Sequence, residues 1–129
     1  MVIMNNDSVI WTLIEKTCRL IIQYKTDKEG NLTFSLSPGK FIGKITRTCH
    51  VPGEIPIKNM ISNIYLKDSN EVDILGGVAK GMDSTKCIQL TPKVGESYEH
   101  PKVCSKLSFH LEGNNTAFAE GKFIVYFDI

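Results

Sequence analysis

Histidine and cysteine are the residues of this sequence best suited to chemistry. There are three histidines and four cysteines in 129 residues. His50 adjoins Cys49, and His100 stands four residues before Cys104. Thiolate and imidazole are good ligands for Zn²⁺, so Cys49, His50, Cys87, His100 and Cys104 form the candidate metal set. The spacing argues against it, because there is no Cys-x-x-Cys knuckle and no His-x-x-x-His pair. A loop histidine beside a buried thiol is the expectation. A nucleophilic serine would need a turn of the Gly-x-Ser-x-Gly type, which is absent. Asp68, Glu71 and Asp73 could pair as carboxylates around one turn, but solvated turn charges are the simpler reading. The stretch Gly76-Gly77-Val78-Ala79-Lys80-Gly81 lacks the Gly-Lys-Ser/Thr ending of a phosphate loop and reads as a mobile loop. Asp73 and Asp83 lack the Asp-x-Asp-x-Asp spacing of a calcium loop. The expectation is therefore no catalytic residue, no cofactor and no metal: not an enzyme.

The elements that would carry any site are strands. Leu107, Phe109 and Leu111 alternate with Ser108 and His110, and Phe123, Val125, Phe127 and Ile129 repeat the pattern. Period-two alternation reads as a half-buried antiparallel pair, here a final hairpin. Cys18, Leu20, Ile22 and Tyr24 alternate in the same way, and a polar turn ending at Gly30 leads to Leu32, Phe34 and Leu36, a second hairpin signal. Ser37-Pro38-Gly39-Lys40 reads as a type II turn. Phe41, Gly43 and Ile45 then share one face of a strand, with Ile42, Lys44 and Thr46 on the other. Ser62, Ile64 and Leu66 mark another strand, Val72–Leu75 a short one and Cys87–Leu90 one more, while His50–Pro56, Val78–Lys86 and Thr91–Pro101 read as loops. No 3.6-residue periodicity runs far enough for a long helix. The fold class expected is all-β: a single antiparallel β-sandwich, jelly-roll-like, of about eight strands. Residues 1–16 form an N-terminal arm or first strand, and residues 17–129 the sandwich domain.

Composition bounds the function. Fifteen basic and 14 acidic residues give a formal charge of +1. Lysines are spread among acids rather than massed, which does not favour a nucleic-acid surface. No apolar run approaches the ~20 residues of a membrane helix. Met1 to Asn6 lacks the basic start and apolar run of a secretory signal, so a chain made and used without crossing a membrane is expected, with its cysteines as free thiols. Were two disulfides present, three pairings would be open. Trp11 packs either in the core or on a neighbouring subunit.

The second half resembles small β-sandwich virion proteins of tailed phages, of the head-decoration, auxiliary-capsid or head-fibre type. The likeness spans roughly residues 38–129. It rests on Phe41-Ile42-Gly43-Lys44-Ile45 after a Pro/Gly turn, on Asp73-Ile74-Leu75-Gly76-Gly77, and on Leu107–Leu111, Gly113–Gly121 and Phe123–Phe127. The resemblance implies a structural protein located in the virion and made in the host cytoplasm. It would bind capsid or other virion proteins as a homo-oligomer, with no nucleic acid and no membrane as partner. Contacts are expected from the N-terminal segment by strand addition, and from the loops Val51–Pro56 and Gly76–Asp83. The residues singled out are Val9, Ile10, Trp11, Leu13, Pro52, Ile55, Val78 and Met82. The alternative is a ligand-binding sandwich for carbohydrate or lipid, with Tyr65, Tyr98 and Tyr126 as candidates for sugar stacking.

Overall fold

The computed structural model describes residues 2–4, 7–14, 17–54, 61–83, 86–113 and 116–128; for 2–4, 7–14, 17, 18, 37–40 and 61 it is the backbone that is described. Ile55 lies outside the described residues, as does Ile129. The strands are β1 (Val2–Met4), β2 (Asp7–Ile14), β3 (Thr17–Lys25), β4 (Leu32–Pro52), β5 (Ile61–Lys67), β6 (Met82–Asp83), β7 (Ile88–Leu90), β8 (Lys93–Val94), β9 (Ser97–Tyr98), β10 (Lys102–Glu112) and β11 (Glu120–Asp128). The protein is an all-β antiparallel sandwich, and no helix occurs among the described residues.

Nine strands share one sheet: eight follow the hydrogen-bonded path β1-β2-β3-β11-β4-β10-β5-β6, and β7 lies off it, paired to β4. The 21-residue β4 belongs to both layers. Its first part, Leu32 to Lys44, pairs with β10, and its second, Lys44 to Pro52, pairs with β11. The crossing point is Gly43-Lys44. Gly43 has φ of +144°, and a Cβ there would lie 2.6 Å from the Asp128 carbonyl oxygen, so only glycine lets β11 pass this close.

The alternation is as expected, but the pairing is not. β3 and β4 do not form a hairpin, because β11 lies between them; β10 and β11 do not pair either, because β4 lies between them. The turns at Asp27–Gly30 and around Thr116–Ala119 carry the chain from one layer to the other. They are bonded side by side: Thr26 N–H donates to Ala119 O (2.9 Å), Ala119 N–H to Thr26 Oγ1 (2.9 Å), Thr26 Oγ1–H to Thr116 O (3.2 Å) and Phe118 N–H to Asp27 O (3.0 Å). Two joined crossovers thus replace two hairpins.

Four further expectations are corrected. Ser37-Pro38-Gly39-Lys40 is no turn; β4 runs through it with a bulge, since Lys106 pairs with Lys40 and Ser108 already with Ser35. A bulge tolerates Pro38 because residues looped out of the ladder need no N–H to donate. Val72–Leu75 is no strand beyond an isolated Lys67–Asp73 bridge, and Thr91–Pro101 contains the β8–β9 hairpin. The Gly76–Gly81 stretch is a run of turns tied to the core, not a mobile loop: Leu75 and Ala79 are fully buried, Ile64 N–H donates to Ala79 O, and Gly81 N–H to Asn63 Oδ1.

The core lies between the layers. Phe109 of the β4–β10–β5 layer meets Tyr24 (6.0 Å between ring centroids) and Phe123 (5.8 Å) of the other, and Phe34 of its own layer at 5.7 Å. Phe109 and Phe123 are fully buried, as are Leu20, Ile22, Ile45, Ile64, Leu66 and Phe127. Each such side chain contributes roughly 1.5–3 kcal/mol by leaving water.

Candidate functional site

Of the residues expected to do chemistry, His50 is the one that the fold buries in its core. Strand β4 turns it into the core, where it is 1 % exposed, and β3 brings Tyr24 to it at 3 % exposure. Tyr24 Oη lies 2.6 Å from His50 Nε2, and His50 Nδ1 lies 3.5 Å from the Lys86 carbonyl oxygen. A carbonyl only accepts. Nδ1 therefore carries the ring proton, and Nε2 accepts from the Tyr24 hydroxyl, a tautomer assigned from the partners. Burial pushes the His50 imidazolium below its usual range, outweighing the Lys86 carbonyl, and pushes the Tyr24 phenol up. Both groups stay neutral at pH 7. With both ring nitrogens engaged, His50 is a core fastener rather than a metal ligand, and no group of three His, Cys, Asp or Glu able to hold a metal occurs among the described residues.

The cysteines are free thiols at Cys49, Cys87 and Cys104. Burial, then the neighbouring Cys87, raises the Cys49 thiol above its ordinary pKa, with Arg47 opposing. Of the three carboxylates expected as solvated turn charges, Glu71 is exposed, while Asp68 and Asp73 hold loop backbone. Asp73 accepts from the amides of Leu66, Leu75 and Gly77, and Asp68 from those of Asn70 and Val72. Asp73 commits both oxygens and Asp68 its Oδ1, and the bonds to residues just ahead in the chain are what an Asx turn makes. The three tyrosines that were candidates for sugar stacking each carry a cation over the ring: Lys67 on Tyr65 (5.7 Å), Lys93 on Tyr98 (4.8 Å) and Arg47 on Tyr126 (4.1 Å).

The outward face at the layer crossing is different in kind. The register sets Lys44 opposite Lys102, Ile42 opposite Cys104 and Lys40 opposite Lys106. Lys44, Lys102, Lys106, Cys104 and Ile42 are all exposed, Ile42 at 61 %. A groove of about 490 Å³ opens there, lined by Ile42, Gly43, Lys44, Lys102, Val103, Cys104 and Asp128. Lysines spread in sequence are thus massed by the fold. The signal was present as two copies of one spacing, Lys40-x-Ile42-x-Lys44 and Lys102-x-Cys104-x-Lys106, which puts both lysines of each strand on one face. Which strand would lie beside which was not in that spacing.

The residues expected at contacts scatter. Val9, Ile10, Trp11 and Leu13 lie on β2, at backbone positions opposite Ile22, Ile21, Leu20 and Cys18 of β3. The segment is thus a strand of the chain's own sheet. Pro52 ends β4, half-buried opposite Gly121. Val78 packs against the core and Met82 is buried at 5 %, so Met82 belongs to the interior and presents nothing to a partner. Set against known proteins, the chain matches no family model, no curated protein and no solved structure.

Proposed function

We propose that this chain is a non-enzymatic docking module, a structural subunit of a virus particle that oligomerises and binds capsid or neighbouring virion proteins. The observation that carries the docking part is the end of the large sheet: β1 pairs with β2 and with no other strand among the described residues. A terminal strand offers its outer row of N–H and C=O groups to a strand from another chain. The wide sheet behind it, crossed by the aromatic core, gives such an edge a rigid support. The virion role rests on the sequence likeness of residues 38–129 to small phage head proteins.

Native mass spectrometry and sedimentation test this reading. The full chain should assemble with itself or co-sediment with virus particles. A chain lacking residues 1–16 should keep a β-type circular dichroism spectrum and do neither. A monomeric full chain that ignores particles, or a shortened chain that assembles equally well, sinks the proposal.

One observation favours a second reading, sugar binding. Tyr98 is 67 % exposed beside a groove lined by Gly76, Gly77, Gln89, Thr91 and Lys93. An aromatic ring flanked by amide and hydroxyl groups suits a pyranose. A glycan array with wild type and Tyr98→Ala separates the two.

A further inference from the structure

The crossing face of β4 and β10 is badly arranged for a free protein. Lys44 and Lys102 stand directly across the ladder as a like-charge pair on one side of Ile42 and Cys104; exposed Lys106 stands on the other side, with Lys40 at the backbone position opposite it. Like charges directly opposite each other destabilise a sheet. No ion pair to Lys44, Lys102 or Lys106 is present among the described residues. Asp128, opposite Lys44 on the other side, is the one carboxylate lining the groove. An exposed isoleucine inside a basic frame is likewise costly to leave in water.

We infer that this face docks an acidic segment of another protein, extended enough to lie along the strands and carrying an apolar side chain near its centre. The inference deepens the docking reading above and rests on it. Carboxylates of such a segment would meet Lys44, Lys102 and Lys106, and its apolar side chain would cover Ile42 and enter the groove beside Val103. Charge complementarity of this kind orients a partner and speeds its arrival. The face fits other anions less well. It has no aromatic ring on which a base could stack and no arginine fork for a phosphate. A membrane surface would meet one isoleucine, too little apolar area to hold a lipid interface.

The test uses the full chain and a fluorescein-labelled peptide of alternating glutamate and leucine. A glutamate–serine peptide, oligo-dT and phosphatidylserine vesicles are the comparison probes. The Glu–Leu peptide should bind best, weaken between about 50 and about 300 mM salt, and lose about tenfold in affinity with Lys102→Glu plus Lys106→Glu. Ile42→Ser should remove its advantage over the Glu–Ser peptide. Both variants change outward side chains, and circular dichroism checks their fold. Absent peptide binding, equal binding by both variants, or tighter binding of oligo-dT or vesicles overturns the inference. The chain lacking residues 1–16 keeps this face. Undiminished assembly of that shortened chain, with peptide binding intact, would refute the β1-edge reading alone.

Discussion

Tyr24 Oη donates to His50 Nε2 across 2.6 Å, joining β3 to β4 in the interior even though β11 runs between those strands. The bond lies in a stacked pair with ring centroids 5.9 Å apart, and Tyr24 also stacks on Phe109 of the opposite layer. Removing the hydroxyl alone should leave the stacking and orphan Nε2. Tyr24→Phe should therefore cost about 1–3 kcal/mol in urea denaturation, the penalty for one unsatisfied buried acceptor. An unchanged midpoint would show that the bond carries no stability.

The same pair sets an acid sensitivity. Burial lowers the His50 pKa below the ordinary 6.5, with the Lys86 carbonyl opposing. Below pH 6.5 the unfolded chain takes up a proton there that the folded chain refuses. Stability should thus be complete above that pH and fall as pH drops through it, towards the lower folded value. His110 adds in the same direction, its pKa lowered by burial first and then by Lys67. Imidazole resonances followed by NMR should place the His50 midpoint below 6.5. A His50 midpoint at or above 6.5 would remove the basis for the slope.

Legibility in the sequence followed the range of the interactions. Alternation depends on a residue and its next-but-one neighbours, so the inward faces of β3, β10 and β11 could be read directly: Leu20, Ile22 and Tyr24; Leu107, Phe109 and Leu111; Phe123, Val125 and Phe127 are all buried. Turn chemistry is equally local, and Asp27–Gly30 is a turn. What the turn connects is decided elsewhere. A polar turn between two alternating runs serves a hairpin or a crossover equally well, and the bonds that chose the crossover join Thr26 to Ala119, far apart in sequence. The basic face was hidden for the same reason. Each Lys-x-x-x-Lys spacing shows which side its lysines take, but their meeting depends on the β4–β10 register.

Gly43 is where the two layers share a strand, and it should be intolerant of any side chain. Its φ of +144° is closed to L residues, and an added Cβ would press on the Asp128 carbonyl at 2.6 Å. Backbone strain alone costs roughly 1–3 kcal/mol. Gly43→Ala should lose at least about 2 kcal/mol. Gly77→Ala is the control, because a Cβ there meets nothing within 4 Å although φ is +80°. Equal losses in the two would assign the effect to φ and clear the close approach.

Thr48 offers a change in the opposite direction. It is fully buried opposite Val125, and its hydroxyl has no hydrogen-bond partner among the described residues. Valine has the same shape without the hydroxyl. Thr48→Val should therefore stabilise the fold by about 1 kcal/mol, seen as a higher denaturation midpoint at constant slope. A destabilised variant would mean the hydroxyl has a partner after all.

Lys102→Glu separates what the crossing face does for the fold from what it does for a partner. In the free chain Lys102 stands opposite Lys44. Reversing its charge turns a repulsive cross-strand pair into an attractive one, worth about 0.2–1 kcal/mol at low salt and less at high salt. Lys102→Gln, which only removes the repulsion, should gain part of that, and with Lys44→Gln already in place the further gain from Lys102→Glu should shrink towards zero. The variant that is more stable should also be the poorer binder of an acidic peptide. A residue kept for folding alone would not show that opposition. Weakened binding without added stability would mean that Lys44 and Lys102 already avoid each other, and that the free face carries no strain for a partner to relieve.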